Sequence, residues 1–163
     1  MQKTPHPGDV SRLSQAATVI SFFSILALDR ITKIFFEHRL TSQSSITLTS
    51  WLGLSSHKNY GIVANLPLPQ TVTVSISLLA IASIVYVFIK PPHPLPSNQK
   101  RALAVLLAGI IGNVWDRLIN GYVFDWILLG GRSVINVADI AILGGALWYI
   151  QASSRKPLTS SQK

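Results

Sequence analysis

The sequence predicts an all-α integral membrane protein, with four transmembrane helices and a small β-containing extracytoplasmic segment between the first two. Three observations predict it. Four apolar stretches are each roughly 17 to 21 residues long, enough to cross a ~30 Å hydrocarbon core at 1.5 Å per residue. Hydrophobic residues form 48% of the 163-residue chain and charged residues only 12%, about half the usual globular share. The Lys and Arg residues between the stretches fall mostly on one side, as the positive-inside bias requires.

The first span runs from about Ala16 to Phe36. It is long, follows a polar stretch and contains Asp29, Arg30 and Lys33, so it reads as a retained helix rather than a cleavable signal. The outer segment 37–70 follows; partial alternation in "SSITLTSWLGL" suggests a small strand pair lying on the membrane surface. The second span, about Thr71 to Ile89, offers only Thr and Ser as polar residues, too few for a solvated helix face. The Pro-rich turn Lys90–Arg101 cannot be helical. The third and fourth spans, about Ala102–Ile119 and Val134–Ile150, carry charges and Gly. No internal repeat is visible, and residues 1–163 read as a single membrane domain.

With both termini in the cytoplasm, that side holds Lys3, Arg12, Lys90, Lys100, Arg101, Arg155, Lys156 and Lys163, against Arg39, Lys58 and Arg132 outside. This places the chain as a multi-pass protein of a cytoplasmic membrane. The net charge of +8 is therefore topological; a soluble nucleic-acid binder would set its cations among many other polar residues. Cys is absent, which excludes disulfides, thiolate metal sites and a cysteine nucleophile.

Only six residues are acidic, and four of them, Asp29, Asp116, Asp125 and Asp139, can meet at one depth in the outer leaflet. Ionisable groups in a bilayer usually face the protein interior, find partners and mark function. Asp29 lies about two turns inside the outer end of the first helix and is i,i+4 to Lys33, the spacing of an ion pair. Arg117 is i+4 from Asn113, and Asn136 is i,i+3 to Asp139, so each amide shares a stripe with a charge. Asp116 can serve as a helix-end charge paired with an Arg. Asp125 falls in an outer loop and Asp139 about one and a half turns into the fourth helix; neither has an obvious cation of its own. Two carboxylates in a poorly hydrated site cannot both ionise cheaply, so one keeps a proton while the other stays basic, and the pair can act as acid and base on one water. The four histidines show no metal-ligand spacing, and no Gly-x-Ser-x-Gly elbow or phosphate loop is present.

Four motifs in order then resemble the type II signal peptidases. They are "LDRITK" (Leu28–Lys33), "KNYGIVANLPLP" (Lys58–Pro69), "GNVWDRLINGYVFDWI" (Gly112–Ile127) and "INVADIAI" (Ile135–Ile142). The resemblance implies an aspartic endopeptidase that removes the signal peptide from a diacylglyceryl-modified prolipoprotein, cutting before the lipidated Cys. It implies Asp125 and Asp139 as the catalytic pair, and substrate-binding or supporting roles for Asn59, Gly61, Asn113, Asp116, Arg117, Asn136 and Asp29. It implies a bacterial inner-membrane location, a prolipoprotein substrate and membrane lipids as partners, a monomer, and no metal, cofactor or nucleic acid. The chain departs from the family pattern at Ile62–Asn65, at Trp126 in place of Phe, and at Arg30 in place of Gln. The alternative class is a non-enzymatic tetraspan protein, such as a small ion or proton carrier or an assembly factor; a carrier would more naturally spread its acids over several depths.

Overall fold

The computed structural model describes residues 7–40, 45–61 and 68–154. In chain order the elements are α1 (Pro7–Arg39), β1 (Ser45–Thr47), β2 (Leu52–Asn59), α2 (Gln70–Ile89), α3 (Ser97–Asn120), β3 (Val123–Leu129), β4 (Ser133–Ile135) and α4 (Val137–Ser154). The protein is mostly helical, with one antiparallel sheet in the order β1-β2-β3-β4.

α1 extends well before Ala16, because hydropathy marks only the apolar part of a helix and Ser11, Arg12, Ser14 and Gln15 contain no breaker. It also runs on to Arg39, which sets Asp29 ten residues from its end rather than two turns (39 less 29). α2 stops before Pro91 and Pro92, but the turn expected over Lys90–Arg101 is shorter than that, because α3 starts directly after Pro96 and Ser97–Arg101, which contains no proline, is helical. α3 ends at Gly121, which has φ 79° and donates its N–H to the Arg117 carbonyl at 3.2 Å. A left-handed residue at this place closes a helix end, and glycine adopts it without a Cβ clash.

Burial departs from that of a water-soluble domain. Asp29, Lys33, Asn113, Asp116, Arg117, Asp125 and Asn136 are buried, while large apolar side chains such as Phe23, Ile31, Leu79 and Leu143 face outward. Among the described residues, two helices, Gln70–Ile89 and Ser97–Asn120, are long and apolar enough to cross a membrane. α3 is the central element and packs closely on α1 and α4 through Ala102, Ala108, Gly109, Gly112, Ala138 and Ala141. Small residues let helix backbones approach where no aqueous hydrophobic effect drives them together. α2 packs on α3 and buries only Thr73 and Ile84.

Two further expectations are corrected. The strand pair β1–β2 forms, but it is half of a sheet completed by β3 and β4 from the α3–α4 connection, so Asp125 lies in a strand and not in a loop. Val134 and Ile135 belong to β4, so α4 begins at Val137 and Asp139 lies in its first turn. An apolar run alone cannot separate a short strand from the helix that follows it.

Between Leu54 and His57, β2 carries one more residue than β3, since Leu54 faces Ile127 and His57 faces Asp125. Side chains alternate along a strand, so this bulge resets which face each later residue occupies. Asn59, opposite Val123, therefore shares a face with Asp125, while Lys58 points to the exposed side.

Candidate active site

The first turn of α4 is built by reciprocal capping. The Asn136 Oδ1 accepts the N–H of Asp139 at 2.9 Å, and the Asp139 carboxylate accepts the N–H of Asn136 at 3.2 Å. This satisfies helix-start donors from both ends of the turn. A further N–H of that turn, on Ala138, is taken by the Asp29 carboxylate at 3.0 Å. Asp29 thus fastens α1 to the start of α4, and it fits there because Gly112 has no side chain: a Cβ would stand 2.8 Å from Asp29 Oδ2.

Asp125 is 0% exposed and sits between two amides. Asn136 Nδ2 donates to its Oδ1 at 2.6 Å and Asn59 Nδ2 to its Oδ2 at 3.0 Å. Burial first, and then the negative charge of Asp139, push the Asp125 carboxyl up to about 7, against the opposing pull of the two amide bonds. Asn59 is held by its own loop, since its Oδ1 accepts the Gly61 N–H at 3.0 Å, an Asx turn. The Gly61 carbonyl in turn accepts Arg117 Nη2 at 2.8 Å, and Arg117 Nη1 donates to the Asn113 carbonyl at 3.3 Å. The Asn-x-Gly spacing is thereby explained: Asn serves Asp125, and Gly seats the arginine.

Asn113 links the two sides of the site. Its Nδ2 donates to Asp139 Oδ1 at 2.8 Å, and its Oδ1 accepts from Asn136 Nδ2 at 3.2 Å and from Lys33 at 3.1 Å. Behind it lies a buried cluster in which Lys33 contacts Asp29 at 2.8 Å and Asp116 at 2.7 Å, and Arg30 also pairs with Asp116.

In front of the network is a cavity of about 690 Å³. Asn59, Asn113, Arg117 and Asp139 form its polar end, and Ile76 and Leu147, from α2 and α4, lie in its apolar part. A carboxylate at the polar end of an apolar cavity is suited to a substrate with one reacting polar bond and a large greasy body.

The sequence model of the family described as signal peptidase (SPase) II matches residues 21–154. The chain belongs to the signal peptidase II family. Similar curated proteins include the lipoprotein signal peptidases of Thermodesulfovibrio yellowstonii, 30% identical with 85% of this chain and 95% of the relative covered, and of Pseudomonas putida, 28% identical with 88% and 89% covered. A solved bacterial membrane enzyme shares the fold, with a TM-score of 0.77 over 99% of both chains at 23% identity. A second has a TM-score of 0.75 over 87% of this chain and 95% of its own, at 24% identity. As a family member the chain is a peptidase, hence a hydrolase, of a bacterial membrane.

Of the residues picked from this signal peptidase II sequence, Asn59, Gly61, Asn113, Arg117, Asp125, Asn136 and Asp139 meet in one hydrogen-bonded network. Asp29 and Asp116 sit behind it, on the α1 side. The expected Asp29–Lys33 pair forms, and Asp116 does pair with an arginine, Arg30, the residue found in place of Gln. Trp126 stacks on Phe36 with centroids 3.9 Å apart, away from the acids. The Ile62–Asn65 departure lies outside the described residues. Lys33 was legible only as a partner for Asp29; its bond to Asn113 joins residues 80 positions apart and has no local signal.

Proposed function

We propose that this chain is an aspartic signal peptidase II, which removes the signal peptide from diacylglyceryl-modified prolipoproteins by cutting before the lipidated Cys with water activated by Asp125 and Asp139. The observation that carries the reading is one side chain: Asn136 binds both acids, Asp125 through Nδ2 and Asp139 through its backbone N–H and Oδ1, at the polar end of an apolar cavity. Asp139 lines that cavity, and Asp125, raised to about 7, lets the pair share a proton near neutrality.

Water enters between the acids. Asp139 takes its proton as the oxygen bonds to the scissile carbonyl carbon, and Asp125 gives its proton to the carbonyl oxygen. Collapse of the tetrahedral intermediate breaks the C–N bond, and the proton held by Asp139 passes to the leaving amine. The diol proton returns to Asp125, which restores the starting pair. The apolar part of the cavity holds lipid tails or signal helix. Asn59, Gly61, Asn113, Arg117 and Asn136 orient the pair, while Asp116 and Asp29 brace α1 against it.

In this reading all four helices span the bacterial inner membrane, both termini lie in the cytoplasm, and the active site is near the outer leaflet. The sheet rests on that leaflet, the enzyme works as a monomer among membrane lipids, and residues 1–163 are one membrane domain. The test is cleavage of a lipidated prolipoprotein by Asp125→Asn and Asp139→Asn. Each loses acid–base catalysis, a fall of about 10²- to 10⁴-fold, and retained processing in either variant sinks the assignment.

A further inference from the structure

Lys33 is 1% exposed; its ammonium donates to Asn113 Oδ1 at 3.1 Å and forms ion pairs with the Asp29 and Asp116 carboxylates at 2.8 and 2.7 Å, three contacts in all. The two carboxylates and Arg30 settle the charge, since two anions face two cations. The third contact is not needed for that balance. Its acceptor, Asn113 Oδ1, also receives Asn136 Nδ2 at 3.2 Å. With two donors on this oxygen, the amide cannot turn over without setting its own NH₂ against an ammonium and a second NH₂. The Asn113 NH₂ is thereby forced toward the cavity, where it meets Asp139 Oδ1 at 2.8 Å.

We infer that Lys33 is a positioning residue for the cleavage: it locks the Asn113 amide so that Asp139 always receives an N–H on Oδ1 and its carboxylate keeps one orientation toward the water and the scissile bond. The inference rests on the reading of Asp125 and Asp139 as the acting pair. Lys33 does not line the cavity, so its action is on the rate of the bound complex and not on substrate binding.

Three variants of the full chain in detergent, assayed on a diacylglyceryl prolipopeptide, test this. Lys33→Met removes charge and donor. Lys33→Gln removes the charge and keeps an N–H donor for Asn113. Lys33→Met/Asp116→Asn removes one cation with one anion and restores the balance. The expected result is a kcat loss of about 10- to 100-fold for Lys33→Met, with KM within about twofold. Lys33→Gln recovers most of that loss, and the double variant regains thermal stability without regaining kcat. Equal impairment of the Gln and Met variants overturns the inference, as does wild-type kcat in the double variant; both leave Lys33 a charge-neutralising role alone. If Lys33→Met does not fold, the Gln and double variants carry the comparison. Asp139→Asn, run beside them, separates the two readings. Cleavage by Asp139→Asn overturns the catalytic pair itself, whereas its inactivity together with an unaffected Lys33→Met overturns only the role of Lys33.

Discussion

Replacing Asp125 by Asn makes the protein more stable at alkaline pH while removing its activity. Asp125 is fully buried and titrates at about 7 in the fold against an ordinary 3.8. Between those values the folded chain holds a proton that the unfolded chain has released. This contribution to stability is complete below the lower value and is lost as pH rises through about 7. A difference of roughly three pH units at 1.36 kcal/mol each amounts to about 4 kcal/mol between pH 4 and pH 8. Asn at 125 cannot ionise and escapes that loss. It carries a constant penalty instead, because its Oδ1 can accept from only one of Asn59 and Asn136 while its NH₂ meets the other donor, a cost of about 1–3 kcal/mol. A constant penalty displaces the stability curve without changing its slope. The stability of Asp125→Asn relative to wild type therefore rises by about 4 kcal/mol from pH 4 to pH 8. Thermal unfolding in detergent at both pH values measures it. At about 2–4 °C per kcal/mol for a chain of this size, the gap between the two melting temperatures moves by about 8–16 °C. A gap that stays constant with pH refutes a proton held on Asp125.

The charge of Asp139 is the second cause of the raised Asp125 value, so Asp139→Asn retains a shallower version of the same pH slope, read in the same melts. Asn136→Ala removes the α4 cap, worth about 1 kcal/mol, and the donor to Asp125; cleavage falls at least about 100-fold, by kcat on the lipidated substrate, beside a small drop in melting temperature. A Cβ on Gly145 would stand 2.7 Å from Leu106 N and 3.0 Å from the Ala102 carbonyl. Because backbone cannot yield as a side chain can, Gly145→Val forces α4 from α3 at about 1–3 kcal/mol, and an unchanged melting temperature in detergent contradicts that close approach.

What was legible in the sequence was local. The i,i+4 spacing of Asp29 and Lys33 foretold their pair, and the i,i+3 spacing of Asn136 and Asp139 foretold their alignment. The capping form of that alignment was hidden, because Val134 and Ile135 extend the apolar run backward and the helix start is set by Asn136. β3 was hidden for a different reason. "VFDWILL" becomes a strand by pairing with β2, and Asn59 and Asp125 are 66 residues apart. The bulge that gives them a common face is a property of register, which no single strand encodes. Motif order pointed to the acids, but the amides that hold them and the lysine behind Asn113 required the fold.

The Asp29–Lys33 pair also bears on how the chain is made. α1 is synthesised first, and its partners arrive much later: Asn113 lies 80 residues after Lys33, and Ala138 lies 109 after Asp29. An intrahelical pair is complete as soon as the helix is, so α1 has these two charges matched before its later partners exist. Arg30 waits for Asp116 on α3. Asp125 and Asp139 come last: Asp125 meets Asn59 when β3 pairs with β2, but it meets Asn136, and Asp139 meets Asn113, only when α4 is seated against α3. The hydrogen-bonded network around the two acids is therefore completed only when the last helix docks.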